Sequence, residues 1–291
     1  MKKMYGISLA VYLCLGIAIV TPAQEKAGAM PPPKVLVINR EVLKPGKSGL
    51  THEKSESAFV KAMTAANSPN HYIALDSLTG KSRSLFLAGY SSFGDWEKGQ
   101  LADMKNANLM AALDGAGVAD GELLESYETG VYVLREDQSY NQNGGIAHDR
   151  YFDIEVFQIK PGHDADWDTI VKMVKPALAK INPDDHWAMY ERAYGGEPAF
   201  VVMRPMRSAS EIDLGFANDP KFAAAMGEEG MKKLAELSAA TIAASETNLF
   251  AINPHMSYVG TDMINADPDF WKTTAEQTNG QPANATGKPA Q

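Results

Sequence analysis

Six histidines are spread along the chain at positions 52, 71, 148, 163, 186 and 255, and two of them hold the same place in a repeated pattern. His71-Tyr72 and His186-Trp187 each set an imidazole directly before an aromatic residue, at the start of an extended run. An imidazole can act as acid, base or hydrogen-bond donor near neutral pH. A pair at equivalent positions could therefore serve one cavity. The plainer alternative is that each histidine caps its strand and bonds its own loop. None of the six stands at metal-ligand spacing from another, so no metal site and no cofactor are expected.

A second set consists of Asn39, Tyr90, Glu155, Glu191 and Arg204, which could face the interior between two packed units. A buried carboxylate near a buried guanidinium perturbs both groups and can mark a ligand pocket. The alternative is a satisfied polar set that fixes how the units pair. The sequence contains no His-Glu-x-x-His, no Gly-x-Ser-x-Gly, no phosphate-cradling Gly-Lys-Ser/Thr loop and no Gly-x-Gly-x-x-Gly after a strand. Met203, Met206, Met226 and Met231 read as adaptable core packing.

What must position these residues is a duplication. Lys44-Pro45-Gly46 recurs as Lys160-Pro161-Gly162 at an offset of 116, and Gly80 falls on Gly195 at 115. Glu128-Thr129 recurs at Glu246-Thr247, and Ser139-Tyr140 at Ser257-Tyr258, both at 118. Each copy reads strand, helix, hairpin, helix, strand. The first strands are residues 35–43 and 151–159, rich in β-branched and aromatic side chains. Trp167, Ile170, Val171, Val174, Ala177 and Leu178 form one helical stripe, and the matching helix at 50–66 has a weaker one. The hairpins span 71–91 and 186–206, the second helices 94–113 and 220–244, and the closing strands 130–136 and 248–253.

This order predicts an α+β chain of two tandem ferredoxin-like β-α-β-β-α-β units. Each unit's sheet would be covered by helices on one face only, and the two bare faces would pair as an intrachain pseudo-dimeric barrel. Leu36, Ile38, Phe152 and Ile154 share one parity and suit the helix side; the opposite parity is mixed and suits the shared interior.

With Lys-Pro-Gly after strand one and Phe93-Gly94-Asp95-Trp96 opening the second helix, the two copies resemble the dimeric α+β barrel superfamily, including antibiotic-biosynthesis-monooxygenase-like and NIPSNAP-like domains. The resemblance covers about 35–136 and 151–258. Some haem-degrading members use an Asn on strand one, a Trp near the second helix and a His on that helix. Asn39 and Trp96 match the first two, but no His lies between Trp96 and Ala119, and copy two offers Glu155 and Glu211 instead. The resemblance therefore implies no haem, and Trp96 is expected in the core.

The remaining segments complete the expected organisation. Lys2 and Lys3, an apolar run from Ile7 to Val20 and Thr21-Pro22-Ala23 form a secretory signal pattern at 1–23. That run is shorter than the ~20 residues of a membrane span. The expectation is an exported chain, periplasmic or secreted, without stable membrane insertion. Cutting there removes Cys14, the single cysteine, and with it any disulfide or thiolate site. Residues 24–33 are a Pro-rich spacer, 34–137 unit one, 138–150 a linker, 151–260 unit two, and 261–291 a mostly disordered extension. A net charge of −9 excludes nucleic acid as the main partner. Three classes of function remain: a binder of a small apolar or aromatic molecule in the barrel interior, which is preferred; a cofactor-independent monooxygenase-like enzyme; and an assembly protein that oligomerises through free sheet edges.

Overall fold

The computed structural model describes residues 31–142 and 145–272. The expected signal segment, the start of the spacer and the tail beyond 272 lie outside the described residues. The first half runs β1 (Val35–Leu43), α1 (Leu50–Ala66), β2 (Tyr72–Ser77), β3 (Arg83–Tyr90), α2 (Phe93–Met104), α3 (Ala107–Gly121) and β4 (Leu124–Leu134). The second runs β5 (Tyr151–Ile159), α4 (Asp164–Ile181), β6 (Ala188–Tyr194), β7 (Ala199–Met206), α5 (Ser210–Thr241) and β8 (Ile242–Tyr258). Two short helices follow, α6 (Thr261–Ala266) and α7 (Pro268–Trp271).

The local chemistry of the boundaries is plain. Lys-Pro-Gly stops β1 and β5 because Pro donates nothing to a ladder, and Gly46 and Gly162 take φ of 77° and 85° in the turns that follow. Ser92 caps α2 by accepting from the Asp95 amide, and Asn106 caps α3 by accepting from the Leu109 amide. That second cap splits the single helix expected at 94–113 into two. Helix α5 begins at Ser210 rather than at Pro220, and it is kinked at Gly227, whose φ is 70°.

The eight strands close into one antiparallel barrel in the order β1-β3-β2-β8-β5-β7-β6-β4. In each half the first strand lies between the fourth and the third, and the second strand is outermost. The halves join edge to edge, β2 on β8 and β4 on β6. Every strand thus has two neighbours and no free edge remains among them, which overturns oligomerisation through sheet edges.

The assignment of the two strand faces is inverted relative to the expectation. Leu36, Ile38, Phe152 and Ile154 pack with Leu75, Tyr190, Val201, Met203 and Phe250 in the barrel interior. The mixed parity faces the helices. Val35 and Val37 meet Trp96, and Phe157 meets Trp167. A closed barrel must fill its centre, so the more uniformly apolar face turns inward.

The first residues of the expected linker are pinned to the second half of the chain. Tyr140 bridges to Trp187 through the backbone, and the Gln138 side chain accepts from the Trp167 indole at 3.0 Å. The start of the expected extension is also structured. Met263 and Trp271 are buried against the barrel core, and the Trp271 indole donates to the Ala147 carbonyl at 2.8 Å. Among the described residues no helix is long and apolar enough to cross a membrane.

Candidate functional site

One end of the barrel opens into a cavity of about 640 Å3. Inward-facing positions of the strands form its floor: Leu36, Ile73, Leu87, Phe152, Ala188, Tyr190 and Met203. Its rim comes from the strap Pro31–Pro33, from Ile146, and from Val259 to Met263 at the start of α6. The strap crosses close to β3 because Gly89 has no side chain; a Cβ there would sit 2.6 Å from Pro33 Cγ. The Tyr190 hydroxyl then ties the strap down by donating to the Pro33 carbonyl at 3.1 Å.

His71 and His186 both line this cavity. His71 directly precedes β2 and stacks on Tyr258, ring centroids 4.9 Å apart. Its partial burial pulls its pKa below the ordinary imidazole value, which keeps the ring neutral at neutral pH. Trp187 forms wall beside His186, and its indole donates to the Gln138 carbonyl at 3.0 Å. The surroundings are apolar and aromatic, with few polar groups to orient a guest.

The other expected residues do not line this cavity. Asn39 accepts from the Thr129 hydroxyl at 2.9 Å. Tyr90 packs beside Trp96 and donates to Asn70. Arg204 gathers Asp153 at 3.1 Å, Asp185 at 3.4 Å and Glu155 at 3.7 Å. Burial raises the Glu155 pKa and Arg204 pulls it back. Glu191 pairs with Arg135 at 2.8 Å. The physical reason is strand alternation: Met203 and Ile154 point inward, so Arg204 and Glu155 point out.

The opposite end of the barrel holds a smaller cavity of about 290 Å3 with a charged lining. Arg83 is bound to Glu246 at 2.6 Å, and Arg192 donates to the Tyr132 hydroxyl at 3.1 Å. The two ends are therefore chemically distinct.

Outside the barrel wall, under α1 and α3, lies a polar centre that the sequence reading does not select. Glu41 of β1, His52 and Glu56 of α1 and Asp120 of α3 are all buried, Glu41 at 6% exposure and the others at 3% or less. His52 Nε2 lies 2.9 Å from Glu41 Oε2, 3.7 Å from Asp120 Oδ1 and 3.8 Å from Glu56 Oε1. Burial, then the charges of Glu41 and Asp120, push the Glu56 carboxyl up to about 10. Burial also raises Glu41, against the pull of its hydrogen bond to His52. On its far side His52 Nδ1 faces Ser84 Oγ at 3.4 Å, and Ser84 donates to Asp76 at 2.5 Å. The legible signal was His52 and Glu56 at i, i+4 on a helix whose apolar stripe is weak; Glu41 and Asp120 arrive from other elements.

No family model matches this chain. No curated protein matches it either. Among solved structures, an anthrone oxidase-like protein is 14% identical, with 75% of this chain and 91% of that one covered at a TM-score of 0.48. A monooxygenase-like protein from Fusobacterium nucleatum is 12% identical, with 77% and 94% covered at 0.47. A chlorite dismutase variant from Candidatus Nitrospira defluvii is 8% identical, with 84% and 98% covered at 0.45. These figures assign neither family nor activity, and the reading of the site rests on its own geometry.

Proposed function

We propose that the apolar end of the barrel binds a small aromatic or otherwise apolar molecule. The observation that carries this is the cavity of about 640 Å3, walled by Phe152, Trp187, Tyr190 and Met203, with His71 and His186 as its imidazoles. Its volume falls in the range of sites for small organic ligands, and its sparse polar lining suits a guest with one or two polar atoms. The two histidines supply those contacts. A neutral His71 can accept a hydrogen bond from a phenolic guest.

Fluorescence titration of the full chain with a panel of phenols, quinols and matched hydrocarbons tests the reading. Phenols are expected to bind, and His71→Ala or His186→Ala to weaken phenol binding about three- to tenfold, the worth of one hydrogen bond. Binding of the hydrocarbons should change little. A wild-type chain that binds none of the panel contradicts the proposal.

The catalytic alternative shares this cavity, with His71 as the base toward an acidic substrate proton. It requires oxygen uptake with quinols that falls when both histidines are replaced. The proposal for the chain as a whole is a duplicated ferredoxin-like unit of the dimeric α+β barrel type, exported after cleavage near Ala23. The repeat offsets and the identical strand order of the two halves support the duplication. Sequencing the N-terminus of the native protein tests the export; a chain that still starts at Met1 rejects it.

A further inference from the structure

We propose that Glu41, His52, Glu56 and Asp120 bind one divalent first-row transition-metal ion, a site separate from the barrel cavity. Their four ligand atoms all lie within 4.8 Å of one another. Around an ion with bonds of about 2.1 Å, neighbouring ligand atoms stand about 3.0 Å apart in an octahedron and about 3.4 Å in a tetrahedron. The observed 2.9, 3.7 and 3.8 Å from His52 Nε2 bracket those separations. Glu56 Oε1 and Asp120 Oδ1 are both buried and take no hydrogen bond from outside the cluster; the two carboxyls meet only each other and the His52 ring. Buried carboxylate oxygens left without donors are costly, and a cation at the centre of the group satisfies both.

His52 is held as a metal-ligating imidazole is held, with its second nitrogen on Ser84 and Ser84 on Asp76. The salt bridges of Glu41, Glu56 and Asp120 all run to this one imidazole, so three carboxylates share a single neutralising group. The fold itself does not need them. Register pairs Glu41 with Ser84 on β1 and β3, and it pairs Phe157 with Phe200 on the corresponding β5 and β7. There Trp167 of α4 stacks on Phe200 at 4.9 Å, an ordinary apolar join of helix and sheet. One half thus keeps a buried polar group where the other shows that an apolar core fits. One imidazole nitrogen with carboxylate oxygens and no sulfur suits a borderline ion such as Zn2+ or a harder one such as Mn2+.

The test is metal analysis of the purified full chain after dialysis against ZnCl2 or MnCl2 and removal of free ion, followed by titration of the chelator-stripped chain. The expected result is one ion per chain, with affinity at least tenfold weaker in Glu41→Gln, Glu56→Gln and Asp120→Asn. Circular dichroism confirms that the variants are folded. Cobalt substitution should give a visible ligand-field band in the wild type and in His255→Ala, an exposed histidine outside the cluster, but not in Glu56→Gln. Less than a tenth of an equivalent bound by the wild type overturns the proposal. So does unchanged binding by folded Glu56→Gln and Asp120→Asn, which would place the ion elsewhere and leave the cluster neutralised by protons. The cavity reading is unaffected by either outcome, since no organic ligand is present.

Discussion

At the scale of single residues, two hydroxyls act through what they hold. The Tyr190 hydroxyl fixes the proline strap across the barrel mouth through the Pro33 carbonyl. Tyr190→Phe is expected to lower stability by about 0.5–1.5 kcal/mol, the net worth of one hydrogen bond, and to speed proteolysis of the strap. A denaturant melt and limited proteolysis read both effects. Ser84 positions His52 and touches none of the carboxylates of the centre. Ser84→Ala is expected to weaken metal binding about tenfold while far-UV circular dichroism stays unchanged, and titration of the stripped chain measures it. Tyr72 connects the two regions of interest. It contributes to the cavity wall, and its buried hydroxyl, without a hydrogen-bond partner, feels the charges of Glu56 and Glu41. Burial first, then those charges, raise its pKa, so it stays protonated.

At the scale of elements, the C-terminal helices close the cavity and depend on two anchors. Trp271 buries its ring in the barrel core cluster and donates to Ala147. Trp271→Ala should cost about 3–5 kcal/mol, seen as a lower thermal midpoint. The second anchor is Asp267, which binds Arg150 and His148. Burial opposes ionisation of Asp267, but the hydrogen bond and charge of Arg150, helped by His148, outweigh it and hold the carboxyl below its ordinary value. A carboxyl depressed in the folded state contributes stability above its unfolded pKa of about 4 and loses it as pH falls toward the folded value. The stability difference between wild type and Asp267→Asn should therefore be full near neutral pH and shrink as the pH drops below about 4. Urea melts across that range measure it, and a difference independent of pH rejects the role.

Element order was legible because β-branched runs, Lys-Pro-Gly turns and glycine hairpins are local signals, and the repeat made each half a check on the other. The inward face was not. Alternation shows that two faces differ, yet Leu36 and Ile38 suit a barrel centre as well as they suit a helix layer, and only closure decides. The break between α2 and α3 was hidden because Asn106 caps through side-chain geometry. His71 and His186 were visible as a repeated pair in sequence. Glu41 and Asp120 were not, since Asp120 of α3 lies 68 residues beyond His52 in the sequence and Glu41 sits on a strand, and the fold alone brings them together.

For the whole molecule, closure is what creates both sites. Joining β2 to β8 and β4 to β6 turns two sheets into a wall with an inside, which becomes the cavity, and an outside, on which α1 and α3 bury the polar centre. The central claim is that the inside of the apolar end holds a small molecule. Ala188 is a small buried residue on that wall, so Ala188→Trp should fill the space without altering the strand order. The most direct measurement is native mass spectrometry of the wild type and Ala188→Trp, both folded by circular dichroism, titrated with the tightest phenol of the panel. A one-to-one complex with the wild type and none with Ala188→Trp is the predicted result. Equal occupancy of both chains would contradict it and place the ligand outside the barrel.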